Sequence, residues 1–292
     1  MKFGRTYSMK IQVDNDLNSV LLNYPLTLEF EITRNTFASA NTGRFTLYNL
    51  GEDTRRLVYH DRYDMLTYRQ IILQAGYESE NNTPLATIFQ GNVRSAYSYK
   101  HKENWTTVID AWDGGFGIVN GQISTSLSPS LSASDVIKNL VQAMPNVVPG
   151  TVNIPGMQSS RSATFFGNVW NIIRRVAGNN TAFIDNEKVN VVTQGTYVTP
   201  PSGIPLVTSS TGLLGTPRKL GALLEVDMIF EPRIAVNQLV SLESEETYYN
   251  GQYAVMGFTH RGTISGAICG DAITTLSLWS GTQALQPAQE VA

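Results

Sequence analysis

The chain of 292 residues is lightly and evenly charged, with 21 Lys and Arg against 24 Asp and Glu and a formal net charge of −3. Such a length suits about two or three domains, and its single cysteine, Cys269, excludes an internal disulfide and a cysteine-based zinc site. Basic residues occur at most as pairs such as Arg55-Arg56 and Arg174-Arg175, which argues against sequence-specific nucleic-acid binding.

Residues 1–117 predict an antiparallel β-barrel that carries one short helix. From Leu26 to Thr33 apolar and polar residues alternate, which is the pattern of a strand with one buried face. Glu52 and Asp53 favour a first helical turn, so we expect a helix at about 52–59. Further strands are predicted at 10–13, 44–48, 70–77, 86–93, 94–99 and 106–112.

Residues 118–204 change to a helical period and predict a small α/β domain. Ser132 or Ser134 can cap a first helix that ends before Pro145. A second helix is expected from about Thr164 to Ala177, with Phe166 on its apolar face. A hairpin should follow, with strands at 182–184 and 189–192 around the turn Asp185-Asn186-Glu187. Two helices and one hairpin cannot bury both helices alone, so we expect this domain to pack on its neighbours.

Residues 205–284 predict a second antiparallel barrel, followed by a flexible tail at 285–292. Leu224, Val226 and Met228 alternate with polar residues, and Pro232 ends that strand. Asn250-Gly251 predicts a tight hairpin turn, because both of its central positions favour a positive φ. The remaining gaps are too short for crossover helices, so these strands must pair antiparallel.

The order of short motifs in both end segments resembles the baseplate hub proteins of contractile-tailed bacteriophages. The first segment carries LYNLGEDTRRLV, ILQAGYE, IFQGNV and DAWDGG, and the last carries STGLLGTP, NGQY and the H-x-G of FTHRG. The resemblance implies a mainly β (α+β) protein, with two antiparallel tail-tube-like β-barrel domains and an inserted small α/β domain. The hub of a non-contractile tail shows nearly the same motifs and stays an alternative.

This resemblance also implies a structural function in the virion tail baseplate. Hub proteins form a homotrimeric ring that adapts the threefold central spike to the sixfold tail tube and encloses the DNA channel. The implied partners are other copies of the chain, the tail tube protein and the central spike protein, together with the tape measure and baseplate wedge proteins. The low content of charged residues and the slight excess of acids suit a channel through which DNA passes without binding to the wall.

Neither export nor a membrane span is predicted from the sequence. The first residues contain no apolar run long enough for a signal peptide, and no later window is apolar enough to cross a bilayer. We therefore expect synthesis and assembly in the host cytoplasm.

The three histidines, His60, His101 and His260, offer no metal site. A metal would require at least two of them at helical or strand spacing beside a carboxylate, and their sequence contexts differ. We expect structural or solvated roles for all three, and no cofactor. Cys269 has no neighbouring His or cation in the sequence, so we expect an inert thiol.

Two groups of carboxylates leave open a cell-wall hydrolase or a sugar-binding module at the tail tip. Asp61 with Asp64, and Glu243 with Glu245 and Glu246, have the composition of paired catalytic acids. We expect both groups to be solvated loop residues instead. The glycines at 114, 115 and 117 follow a strand and are expected to form a turn that opens no helix, which argues against a phosphate site. The sequence therefore predicts no catalytic, cofactor or metal residues and no enzyme activity.

Overall fold

The computed structural model describes residues 4–13, 18–37, 40–78, 84–129, 131–154, 162–197, 204–279 and 286–287. These residues form mainly β-strands, and most of the strands belong to one large sheet whose pairs are nearly all antiparallel. The predicted mainly β fold is confirmed.

The first segment supplies the strands on one side of the large sheet. Its elements are β1 (Arg5–Gln12), β2 (Ser19–Asn23), β3 (Leu28–Asn35), β4 (Thr42–Tyr48), α1 (Glu52–Val58), β5 (Gln70–Tyr77), β6 (Ala86–His101) and β7 (Asn104–Trp112). The strands predicted at 86–93 and 94–99 are one strand, β6. Its register against β7 shifts between Val93 and Ser95 without ending the strand.

The middle segment contains helices and short strands. Its elements are α2 (Gly115–Asn120), β8 (Gln122–Leu127), α3 (Ala133–Val141), β9 (Val148–Asn153), β10 (Ala163–Asn168), α4 (Val169–Ala177), β11 (Thr181–Asp185), β12 (Lys188–Val192) and β13 (Thr196–Tyr197). Ser132 caps α3 as predicted, because its side chain accepts a hydrogen bond from the backbone N–H of Asp135. The hairpin of β11 and β12 is also confirmed.

Two predictions for the middle segment are wrong. Helix α4 begins at Val169 rather than near Thr164, because the preceding residues form β10 against β8 and Asn168 caps the helix. Phe166 therefore lies on a strand and is 84% exposed. The glycines after β7 do open a helix, α2: Gly114 has a φ of +66°, and a Cβ on Gly115 would lie 2.1 Å from the Trp112 ring.

The last segment supplies the other side of the large sheet. Its strands are β14 (Leu206–Val207), β15 (Leu213–Leu220), β16 (Leu223–Ile229), β17 (Leu239–Leu242), β18 (Gly251–Ile264), β19 (Ala272–Trp279) and β20 (Gln286–Pro287). The predicted tight turn at Asn250-Gly251 is wrong. Asn250 has a φ of −70°, and a 3₁₀ turn at Thr247–Tyr249 lengthens the connection between β17 and β18. The tail predicted at 285–292 lies outside the described residues except for β20.

A strand pair from opposite ends of the chain makes the large sheet continuous. Gly257–Ile264 of β18 pair antiparallel with Leu28–Asn35 of β3. The resulting strand order is β15-β16-β19-β18-β3-β4-β7-β6-β5-β1-β2, with β17 beside β18 and β14 beside β17. The orders β3-β4-β7-β6-β5 and β15-β16-β19-β18-β17 repeat the same path in the two end segments.

Buried apolar side chains of the described residues form three clusters, and most members of each cluster come from one segment. Phe230, Ile264 and Ala272 of the last segment belong to the first cluster. The alternating residues of β3 and β16 point into the first and last clusters as predicted. The middle cluster lies around Trp170 of α4, and Phe183 of β11 and Val192 of β12 belong to the last cluster. The middle segment therefore packs on the end segments, as expected for a unit too small to bury its own helices.

Candidate functional site

The three histidines lie in separate environments. His60 is buried and pairs through its backbone with Ala96, His101 is exposed at the end of β6, and His260 is fully buried on β18. His260 Nδ1 lies 2.9 Å from Thr274 Oγ1, and burial lowers the pKa of His260 to about 3. An imidazole held neutral in a core fits a packing role.

Asp61 and Asp64 make hydrogen bonds within their own loop. Asp61 accepts a hydrogen bond from the backbone N–H of Tyr63 at 2.9 Å, and Asp64 accepts from the backbone N–H groups of Leu66 and Thr67 at 3.1 and 3.0 Å. A hydrogen bond from the Thr67 side chain is the largest effect that lowers the pKa of Asp64. Both carboxylates therefore shape a turn.

The second group of carboxylates lies in the connection between β17 and β18. Glu243, Glu245 and Glu246 are all exposed there, and the first two border an open groove of about 870 Å³. No group of three or more His, Cys, Asp or Glu within the described ranges is arranged to hold a metal ion. Cys269 is exposed.

A buried polar junction, which the sequence did not predict, holds the tip of the β11–β12 hairpin against the first segment. Its members are Arg34, Asn41, Tyr68, Gln90, Asp113, Asp185, Asn186 and Glu187. Asp113, which is 1% exposed, accepts the backbone N–H groups of Asn186 and Glu187 at 2.7 and 2.6 Å. Asn41 joins the two sides, because its side-chain amide donates to the Ile184 carbonyl at 2.8 Å.

Charged partners complete the polar junction. Arg34, 3% exposed, donates from Nε to Asp185 at 2.8 Å and from Nη1 to the Ile88 carbonyl at 3.1 Å. Glu187 accepts from the Tyr68 hydroxyl at 2.6 Å and from Gln90 Nε2 at 3.0 Å. Hairpin-tip residues are usually solvated, so sequence alone gave no reason to bury them.

Burial and charge shift the pKa values inside the junction. Desolvation, helped by the charge of Asp185, raises the pKa of Asp113 to about 7, against the opposing effect of its hydrogen bonds and Arg34. Desolvation and the carboxylate of Glu187 raise the pKa of Tyr68 above its usual range. These groups hold one another in place, so the junction clamps the tip of the β11–β12 hairpin to the first segment.

The large sheet has a polar face opposite its cores. Register places its members on one side, since residues opposite each other in antiparallel strands share a face: Glu31 lies opposite both Arg44 and Arg261, and Asp110 lies opposite Arg44. The polar residues after which we name this polar sheet face are Glu29, Glu31, Thr33, Arg44, Thr46, Asp110, Arg218, Glu225, Asp227, Thr259, Arg261, Thr263, Thr275 and Ser277. The same register also places Tyr97, Tyr99, Val108, Ile229 and Ile273 on this face.

Acids outnumber arginines on the polar sheet face, and two of its arginines are paired. Arg44 Nε donates to Asp110 at 2.8 Å. Arg218 lies 2.8 Å from Asp227 and 3.4 Å from Glu225. Paired guanidinium groups offer less to a phosphate backbone than free ones do, and the excess of acids makes this face slightly acidic.

The fold is that of phage tail proteins. It matches a tail protein of Neisseria meningitidis MC58 (TM-score 0.60, 11% identity, covering 94% of this chain and 96% of that one). It also matches the 43 kDa tail protein of prophage MuSo2 from Shewanella oneidensis (0.61, 10%, 94% and 96%). A third match is E. coli c3393 (0.53, 7%, 94% and 77%), described as a type VI secretion component with structural similarity to T4 tail proteins gp27 and gp5.

The sequence identifies the family within that class. A profile of the baseplate hub gp41 family matches residues 7–261, and the chain therefore belongs to this family of structural tail proteins. No curated protein matches the sequence significantly. None of the described helices combines the length and the apolar character needed to span a membrane.

Proposed function

We propose that three copies of this chain close into a ring around the DNA path, between the threefold central spike and the sixfold tail tube. The segments at 1–117 and 205–284 act as two tail-tube-like barrels, the segment at 118–204 as their insert, and 285–292 as a tail. Three such chains offer six similar modules, which matches a trimeric partner on one side and a hexameric partner on the other.

The observation that carries this proposal is the repeated strand path of the two end segments. β3-β4-β7-β6-β5 and β15-β16-β19-β18-β17 follow the same order and stand side by side through the pairing of β18 with β3. A chain that already joins two equivalent modules laterally has the geometry to continue that join with further copies.

The polar sheet face suits the lining of the channel. DNA passing through a tail must not be retained, and retention requires unpaired cations that displace counterions from phosphates. Threonine, serine and arginines paired with acids supply hydration without that attraction. The match to c3393, which is described as similar to the T4 tail proteins gp27 and gp5, supports a place in the tail.

Native mass spectrometry of the purified 32.1 kDa chain tests the ring. We expect a trimer that also binds purified tail tube protein, and a strictly monomeric chain would contradict the proposal. A peptidoglycan turbidity assay addresses the hydrolase alternative: we expect no clearing, whereas clearing that is lost with Glu243→Gln would favour an enzyme.

A further inference from the structure

The register shift of β6 has a counterpart in β18. β6 shifts against β7 between Val93 and Ser95, and β18 shifts against β19 between Val255 and Gly257. Before the shift, each strand pairs with the preceding strand of its own segment, β5 or β17. Ser95 is therefore structurally equivalent to Gly257, and the residues after Ser95 correspond one for one to the residues after Gly257.

Beyond the shift the two strands have different neighbours. β18 is joined by β3, whereas beside β6 the described chain supplies only the backbone bridge of His60 to Ala96. No described strand lies beside Tyr97–His101 on that side, and β15 has β16 as its only described strand partner. Unpaired strand edges are templates for another strand.

β15 is the counterpart of β3. Residues that pair with equivalent residues are themselves equivalent. The pairing of β18 with β19 and of β6 with β7 therefore matches β19 with β7, and the next pairing outward matches β16 with β4. Arg218 then corresponds to Glu31, Leu220 to Thr33 and Leu214 to Glu29. The matching pairs are Leu213–Met228 with Leu28–Leu47, and Arg218–Glu225 with Glu31–Arg44.

We propose that β15 of one copy adds antiparallel to Tyr97–His101 of β6 in a neighbouring copy, in the register by which β3 adds to β18 within the chain. This inference rests on the proposed ring. Because Thr259 lies opposite Thr33 and Arg261 opposite Glu31, Tyr97 would lie opposite Leu220 and Tyr99 opposite Arg218 of the neighbouring copy.

Side chains at both edges are suited to this register. Tyr97 and Tyr99 stack with ring centroids 6.2 Å apart and are each 46% exposed, while Leu220 is 68% exposed. Pairing covers Tyr97 and Leu220 together, and it brings the Arg218 guanidinium beside an aromatic ring. The unpaired edges therefore carry the apolar surface that a strand addition would bury.

The features that interrupt both edges do not obstruct this register. Ala96 is equivalent to Phe258, which pairs with Arg34, and the counterpart of Arg34 lies beyond the end of β15 at Leu220. The bridge of His60 therefore sits where the added strand has ended. Pro217, which has no N–H, lies within the irregular stretch of β15, so pairing uses the residues on either side of it.

Paired cysteines test the register in the full chain. With Cys269→Ser as background, Tyr97→Cys plus Leu220→Cys places two thiols opposite each other across the joint, where Cα atoms are about 4.5–5.5 Å apart. Mild oxidation should convert most of the chain to a covalent trimer on a non-reducing gel. The control, Tyr97→Cys plus Arg218→Cys, is displaced by two residues and exceeds the roughly 7 Å limit for a disulfide, so it should stay monomeric on the gel.

The possible outcomes test the proposed pairing of β15 with β6, which we call the joint, separately from the proposed ring. A trimer by native mass without the cross-link, a covalent dimer only, or equal cross-linking in the control would overturn the joint and leave the ring standing. A monomer by native mass would overturn the ring and the joint together. If the first pair prevents folding, Tyr99→Cys plus Arg218→Cys is a second in-register pair and decides the same question.

Discussion

The two end segments share a strand order but differ in how their edges are completed. In the last segment β18 continues past its register shift along β3, so its edge is paired within the chain. In the first segment β6 continues past the equivalent shift with exposed tyrosines, while β1 and β2 extend the sheet beyond β5. One lateral join is therefore built into each polypeptide, and the ring that we propose leaves its equivalent to a neighbouring copy.

The largest effect is expected at the built-in join. A Cβ on Gly257 would lie 2.7 Å from Asn35 Cβ and 2.9 Å from the Arg34 carbonyl, so Gly257→Val forces β18 away from β3. We expect a loss of about 3 kcal/mol in the free energy of unfolding, measured by urea denaturation.

Ser95 provides the matched control, because it occupies the equivalent position of β6 and already carries a side chain. Ser95→Val should change the free energy of unfolding by about 0.5 kcal/mol at most. Equal losses of unfolding free energy in both variants would show that the pairing of β18 with β3 does not make Gly257 more sensitive than Ser95.

The polar junction should be the next most sensitive feature. Both carboxylate oxygens of Asp113 accept backbone N–H groups, so Asp113→Asn turns one acceptor toward a donor and leaves an N–H of the hairpin tip unpaired. We expect a loss of about 2 kcal/mol in urea denaturation. An unchanged midpoint would mean that the hairpin tip docks without this carboxylate.

His260 gives the last segment a pH dependence that its counterpart, Ser98 of β6, cannot give the first. The folded pKa is about 3 and the unfolded value about 6.5, so between these values the unfolded chain binds a proton that the folded chain does not. Above about pH 6.5 His260 is neutral in both states and does not lower the free energy of unfolding. As the pH falls below that value, the free energy of unfolding decreases by up to about 1.4 kcal/mol per pH unit.

His260→Ser should remove that slope. We would measure the free energy of unfolding of the unaltered chain and of the variant between pH 4 and 6. The difference between them isolates the effect of His260, because the raised pKa of Asp113 produces the same opposite slope in both proteins. Identical slopes would show that His260 is not kept neutral by the core.

The parts that sequence predicted are local, and the parts it missed depend on distant contacts. Alternation at Leu28, Phe30 and Ile32 is sufficient to define a strand, because one face of the sheet is buried whatever lies beside it. Phe166 stands at helical spacing from Trp170, yet pairing of β10 with β8 overrides that period.

The join of β18 with β3 and the clamp at Asp113 involve partners far apart in the chain. Neither leaves a local pattern, since a lone Asp after a strand has the same signature as a turn residue. The sequence predicted two barrel domains at the chain ends, which stays a prediction. Nothing in it indicated that β18 and β3 pair and join strands of both end segments into one sheet.

The smallest effect is expected on the polar sheet face, where Arg44 and Asp110 pair across β4 and β7. Their side chains are 63% and 30% exposed, and exposed pairs contribute about 0.2–1 kcal/mol. Asp110→Ser copies the residue at the equivalent place in β19, Ser277, and should lower the free energy of unfolding by about 0.5 kcal/mol. Because salt screens exposed charges, the difference from the unaltered chain should shrink between 0.05 and about 0.5 M NaCl. A loss as large as that of Asp113→Asn would mean that this face is buried in the isolated chain, and it would then be unfit to line a channel.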